Sequence, residues 1–310
     1  MKQLRYLIFI CITMGFLWLV VNAIQHIQAE VHHRNGYIQI ERGYPKLSNI
    51  SFKRAVDLMP WETHYRLQLA KSYEKTAQTF PNEFKAYTNL AIKEYQRLIE
   101  QDELNPWFKA RLGLIYHDLY KKYPKSEIYK KLAHDFSLAA TINDPKNPLF
   151  TLHYAHLLYT YGELDLAKEY YLKTIEYDND LLEAHYNIAA IYEDENQKDK
   201  TKPHYERIIE YLKVNESKPT SAINDALKKN LQRFQNARIK LAKYYLEKND
   251  MNAAFQLIND VPISVEKYEL LGAYYTKINR IDEAISVYKQ LNLRLNTNEY
   301  DSIIKQLQSQ

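Results

Sequence analysis

His153 and His156 stand three residues apart, a spacing that puts two imidazoles on one face of a helix, and His117 adds a third imidazole. Imidazole nitrogen is a common ligand for zinc and similar divalent ions, so metal binding is the first chemistry to weigh. A zinc centre needs at least three protein ligands, and no Asp, Glu or Cys joins these histidines at ligand spacing. Packed or solvated imidazoles are therefore expected. His32 and His33 are adjacent, so their rings diverge on most backbones, and a solvated segment is expected there. Cys11 is the single cysteine, which leaves no disulfide framework and no Cys-pair metal site. Its setting, "FIC" followed by more apolar residues, lacks the small residue that precedes a lipoprotein cysteine. The six glycines are scattered over Gly15, Gly36, Gly43, Gly113, Gly162 and Gly272, so no glycine-rich phosphate loop can form. No nucleophile–base set stands out. Neither a cofactor nor enzymatic activity is expected. The net charge of +4 is small and dispersed, which argues against nucleic acid as a partner.

With no reaction to read, the informative feature is how the helices repeat. Residues 152–179, "LHYAHLLYTYGELDLAKEYYLKTIEYDN", form two amphipathic stretches with Gly162 between them. One helical hairpin cannot bury its own apolar faces. Its partner lies 34 residues on: Tyr154 maps onto Ile188, Ala155 onto Ala189, Leu158 onto Tyr192, Ala167 onto Thr201 and Tyr171 onto Tyr205. The same large–small–large trio recurs on first helices as Leu69-Ala70-Tyr73, Leu112-Gly113-Tyr116, Leu241-Ala242-Tyr245 and Leu271-Gly272-Tyr275. Second helices carry Ala91-Tyr95-Leu98, Ala133-Ser137-Ala140, Ala254-Ile258-Val261 and Ala284-Tyr288-Leu291. Small residues let paired helices approach, and large ones fill the space beside them. Pro60 and Pro145 end second helices, whereas Pro203 is expected near the start of one.

A helix–turn–helix unit with this period and these trios resembles the tetratricopeptide repeat family. The resemblance implies an all-α fold, a right-handed α-solenoid of about six hairpins over residues 63–298. Residues 45–62 are expected as an N-terminal capping helix, with Phe52 and Ala55 in register. Residues 299–310 are expected as a C-terminal capping helix, started by Thr297, with Tyr300, Ile303, Ile304 and Leu307 on its inner face.

Upstream, residues 1–24 carry Lys2 and Arg5 and then an uncharged run from Tyr6 to Ile24. Nineteen helical residues span roughly 28 Å, close to a bilayer's hydrocarbon thickness. A transmembrane anchor and a cleaved signal peptide ending at "VNA" both fit, and the length favours the anchor. Positive charge before the run keeps the N-terminus cytoplasmic and sends the repeats to the extracytoplasmic side, the periplasm in a Gram-negative cell. Residues 25–44 read as a polar linker.

Three irregularities interrupt the period. The first two hairpins hold extra residues bearing Phe80-Pro81 and Tyr123-Pro124, expected either as a paired docking edge or as longer hairpins packed on each other. Between the fourth and fifth hairpins, one long helix is expected from about 221 to 248.

In the family, first helices line the inner surface of the solenoid. The resemblance puts Trp107, Ala110, Leu114 and His117, then Leu149, Leu152, His156 and Tyr159, then Glu183, Tyr186, Ala190 and Glu193 on that wall. Members that grip a charged C-terminus use a basic–Asn clamp, but the matching places here hold Leu67, Lys71, Ala110 and Leu114. What remains suits an apolar peptide segment or an amphipathic helix of a protein partner. The function that follows is a membrane-anchored scaffold in a bacterial-type cell envelope. An accessory role in exopolysaccharide or O-antigen synthesis or export is the alternative, since aromatic side chains also stack on glycans.

Overall fold

The computed structural model describes residues 2–216 and 234–309. The chain divides into two compact units, Met1–Leu157 and Leu158–Gln310. Among the described residues every regular element is helical.

In the first unit the initial helix is α1 (Lys2–Glu41), followed by α2 (Pro45–Leu58), α3 (Thr63–Thr79), α4 (Phe84–Gln101), α5 (Pro106–Lys122), α6 (Glu127–Asn143) and the body of α7 (Pro148–Thr160). Residues 25–41 are thus not a linker. They continue the apolar helix without a break, and Ala29, His33 and Gly36 pack on α2. The sequence contains the reason. Gly36 lacks the Cβ that would fall 2.7 Å from the Phe52 ring, so the two helices close on each other. His33 is buried, with the rings of Tyr37, Phe52, His64 and Tyr65 all within 6 Å of its own. The helix ends in a Schellman turn: Gly43 has φ +80°, Gly43 N–H donates to Ile40 O and Tyr44 N–H to Gln39 O. Pro45 then opens α2. So α2 is not a lone cap but the second helix of a hairpin with α1. Gly36 and Phe52 are as far apart in sequence as Gly272 and Tyr288, and both pairs make the same contact. The hairpin array therefore starts one repeat earlier than the sequence reading placed it.

The second unit continues from the end of α7 with α8 (Leu164–Tyr177), α9 (Leu182–Asp194), α10 (Lys198–Glu216), α11 (Gln235–Glu247), α12 (Met251–Asp260), α13 (Val265–Lys277), α14 (Ile281–Leu295) and α15 (Asp301–Gln308). Its hairpin turns share one device. Gly162, Asn196, Asn249 and Asn279 adopt left-handed backbone after a helix, and each closes a Schellman pair such as Gln197 N–H to Tyr192 O. Asparagine is the usual substitute for glycine in that conformation. Pro203 lies inside α10 rather than in its first turn. The helix expected from 221 falls mostly outside the described residues, and α11 accounts for its last part. Thr297 does not cap α15: its hydroxyl accepts from Glu299 N–H, and the N-cap is Tyr300. Tyr300, Ile304 and Leu307 are buried, and Tyr300 stacks on Tyr288 at 5.7 Å.

The small positions behave as the period requires. Ala70, Ala91, Ala133, Ala155, Ala167, Ala189, Ala242, Ala254 and Ala284 are fully buried, and Tyr95, Tyr154, Tyr171 and Tyr205 fill the adjoining space.

Candidate functional site

The part of the expected wall most open to solvent forms at the N-terminal ends of α5 and α7, and the same local sequence builds both. Asn105-Pro106-Trp107 and Asn147-Pro148-Leu149 each place a capping Asn, a proline in the first turn and a large apolar residue. The Asn105 Oδ1 accepts from Trp107 N–H at 3.1 Å, and Asn147 Oδ1 from Leu149 N–H at 3.1 Å. Trp107 is 55% exposed and meets the Phe150 ring edge-on at 4.8 Å. Beneath it Phe150 packs with Ala110 and Ala140. Leu149 is also exposed. Two further apolar residues, Leu104 and Ile142, stand out to solvent close by, where the Asn143 amide donates to Leu104 O. Sequence reasoning missed both. The only signal for Leu104 was an apolar residue in a polar turn, and Ile142 lies in the last turn of α6.

The other expected wall residues divide by burial. His156 is exposed, and Leu114 is half-buried. Leu152 and His117 are buried, so neither offers its side chain to a partner. Burial, with help from the Lys121 cation, pushes the His117 imidazole down to about 4. The His117 and His156 rings lie 6.5 Å apart. Among the described residues no group of three metal-ligating side chains comes together. In the second unit Tyr159 and Tyr186 are half-buried, and Tyr186 packs against Phe234 at 5.9 Å. Glu193 is engaged by Lys240 at 2.7 Å.

The two insertions lengthen helices rather than loops: α3 to α6 run 17 or 18 residues, against 13 for α7, α9, α11 and α13. They pack on each other through reciprocal cation–π contacts. Lys122 Nζ sits 3.7 Å above the Phe84 ring, and Lys85 Nζ 5.9 Å from the Tyr123 ring. Phe80 is covered by Lys46 at 4.3 Å, which also pairs with Glu83 at 2.5 Å. Pro81, Tyr123 and Pro124 remain exposed.

Charged clamps beneath these surfaces were invisible in the sequence. Buried Glu74 of α3 accepts from Tyr95 Oη at 2.7 Å and is gripped by both arms of the Arg111 guanidinium. Burial and then the Glu74 charge hold the Tyr95 phenol well above its ordinary range. Arg66 and Glu94 pair at 2.8 Å, both buried. In the second unit His185 Nδ1 lies 3.0 Å from His204 Nδ1, with His185 Nε2 3.2 Å from Asn179 O. A carbonyl only accepts, so His185 carries its proton on Nε2 and His204 donates to it. Burial, and then the neighbouring His185, pushes His204 down to about 4, and burial also lowers His185.

No family profile and no curated protein matches the chain. Solved structures do. The PilF protein of Pseudomonas aeruginosa superposes with a TM-score of 0.52 at 16% identity, over 79% of this chain and 97% of its own. MamA (residues 41 to the end) from Desulfovibrio magneticus RS-1 gives 0.50 at 12% identity, over 61% and 98%. A double mutant of MamA RS-1 gives 0.51 at 12% identity, over 62% and 98%. All are tetratricopeptide-repeat proteins, and at these identities they establish the fold: a helical repeat array of that type. Among the described residues one helix, α1, is also long and apolar enough to cross a membrane by length and composition; its apolar window has mean hydropathy 1.7 and is unburied.

Proposed function

We propose that the chain is a membrane-anchored scaffold that holds an apolar segment or amphipathic helix of a partner protein on the extracytoplasmic side of a bacterial-type envelope. A repeat array of this fold supports the coarser statement, a protein–protein interaction scaffold. One observation carries the finer one. Trp107 and Leu149 are displayed by identical caps on successive first helices, half out of the core, with Leu104 and Ile142 beside them. Tryptophan in such a setting is the typical anchor of a binding surface. The topology follows from Lys2 and Arg5 preceding the apolar run.

The test is photo-crosslinking in cells, with a photoreactive residue at position 149 of the full chain. A discrete protein adduct is expected. Trp107→Ala in the same chain should weaken it by about thirtyfold in affinity, the equivalent of about 2 kcal/mol, without lowering the melting temperature. An adduct that persists unchanged in the Trp107→Ala chain moves the interface away from this patch.

A further inference from the structure

The outer face of α1 carries a second pattern that the array does not use. Ile10, Leu17, Ile24, Val31 and Ile38 recur every seven residues, all exposed. Val20 and Ile27 fall between them at the complementary heptad position. Beyond the apolar run the stripe lies opposite the face that packs on α2: Ala29, His33 and Gly36 are buried, while Ile27 is 64% and Val31 54% exposed. A terminal hairpin normally turns a polar flank to water. Here that flank carries Ile27, Val31 and Ile38 around a single Arg34, and Leu47 and Ile50 of α2 are exposed as well.

We infer that this stripe pairs with the same stripe of a second copy of the chain, forming a parallel two-stranded coiled coil that runs from the membrane into the first hairpin. The inference rests on the membrane anchor proposed above. A strict seven-residue period differs from the 3.6-residue turn of a straight helix, and only a left-handed supercoil keeps such a stripe on one seam. Two copies inserted in one membrane share one orientation, so equal residues meet, as a two-fold interface requires. At the flanking positions of a parallel seam Glu30 would face Asn35, and Tyr37 would face Arg42, so no like charges oppose each other there. Arg34 and, at the end of α1, Glu41 are the charged residues in the soluble part of the seam; each would meet its own copy there, and the long stem of Arg34 lets its guanidinium leave toward Glu30. The soluble stripe alone is short, about 20 Å from Ile24 to Ile38, and Ile10 to Ile38 doubles that length.

Single cysteines placed in a Cys11→Ser full-length chain test this directly in membranes. Positions 24, 27, 31 and 38 should give oxidative dimers of twice the chain mass, and positions 26, 30 and 37 should not. Val31→Glu with Ile38→Glu should abolish the dimer in detergent while leaving helical melting unchanged, since both residues are exposed. A flat crosslinking profile, no dimer, or adducts of another mass would overturn the pairing. Alkaline extraction separates the two readings. A chain retained in membranes without crosslinks sinks the dimer and leaves the anchor. A released chain that still crosslinks with the seven-residue period sinks the anchor and leaves the pairing.

Discussion

Gly36→Ala decides whether residues 25–41 belong to the array. Two effects oppose each other. Alanine in a helix interior is favoured over glycine by about 1 kcal/mol, so a solvated helix or linker would be stabilised or unaffected. Against α2, the new methyl would fall 2.7 Å from the Phe52 ring. That ring is fully buried and held edge-on by Tyr37 at 5.5 Å, so it has no free direction to retreat. Overpacking of this kind costs about 1–3 kcal/mol, which offsets the propensity gain and leaves a net loss of up to about 2 kcal/mol. Repeat arrays open from their ends, so the loss should appear locally rather than as one global transition. Amide hydrogen exchange over α1 beyond residue 25 and over α2 is the suitable measurement. A net loss of that size speeds exchange there by up to about thirtyfold. In a double-mutant cycle, Phe52→Leu should relieve part of the Gly36→Ala cost, because the two groups touch. Exchange that slows, with no coupling to Phe52, would refute the packed helix and restore the linker.

Further outcomes follow from other close contacts and titrating groups. Gly113→Leu should destabilise the hairpin of α5 and α6 by about 1–3 kcal/mol, because a Cβ there would overlap Ser137 Oγ and come within 3.0 Å of its backbone nitrogen; thermal melting checks it. The His185–His204 pair is neutral in the fold, so the unfolded chain takes up protons first. Stability should be intact above pH 6.5 and fall as pH drops toward about 4, where folded His204 also protonates. The fall from 6.5 to about 4 corresponds to roughly 3 kcal/mol at most, and partial exposure of the ring cuts that to about 1–2 kcal/mol. His204→Gln should flatten the decline between pH 7.5 and 4.5 in denaturant titrations. Parallel curves for the two chains would assign the acid sensitivity elsewhere.

The repeat register was legible because small residues at fixed spacing are forced by helix contact. Ala155, Ala189 and Ala242 sit at zero exposure where the period put them. The first hairpin was missed for a reason in the same currency. Its first helix has Gly36 at the small position but no aliphatic trio around it, and Asn35 and Gln39 broke the large–small–large pattern. The turn asparagines Asn196, Asn249 and Asn279 were readable as helix stops but do not alter the period, so the register stood without them. The wall was only half legible. Family position put Leu152 beside Trp107, yet Leu152 points into the core while Trp107 rests over Phe150. Trp107 stands six residues before the small residue of its helix and Leu152 three before its own, so the two lie one helical turn apart, and only the deeper turn is covered. The Glu74–Arg111 and His185–His204 contacts join residues 37 and 19 positions apart, and no local signal pairs them.

Continuity of α1 changes what a scaffold of this kind can reach. A flexible linker over 25–44 would have a root-mean-square span of about 25 Å and leave the array free to turn on the membrane. The helix instead runs from the apolar stretch straight into Ala29, the first fully buried residue, five positions beyond Ile24 and so about 7–8 Å from the end of the proposed span. Gly36, clamped on Phe52, then fixes α2 against α1, and Tyr65 Oη on Glu30 ties α3 to the same helix. The first unit, with Trp107 in it, is therefore built outward from the helix that would enter the bilayer. A partner segment reaching Trp107 and Leu149 has to approach a surface whose height and orientation are set by that helix. Partners that are themselves held at the membrane meet that condition without first ordering a tether, whereas a freely diffusing one gains nothing from it.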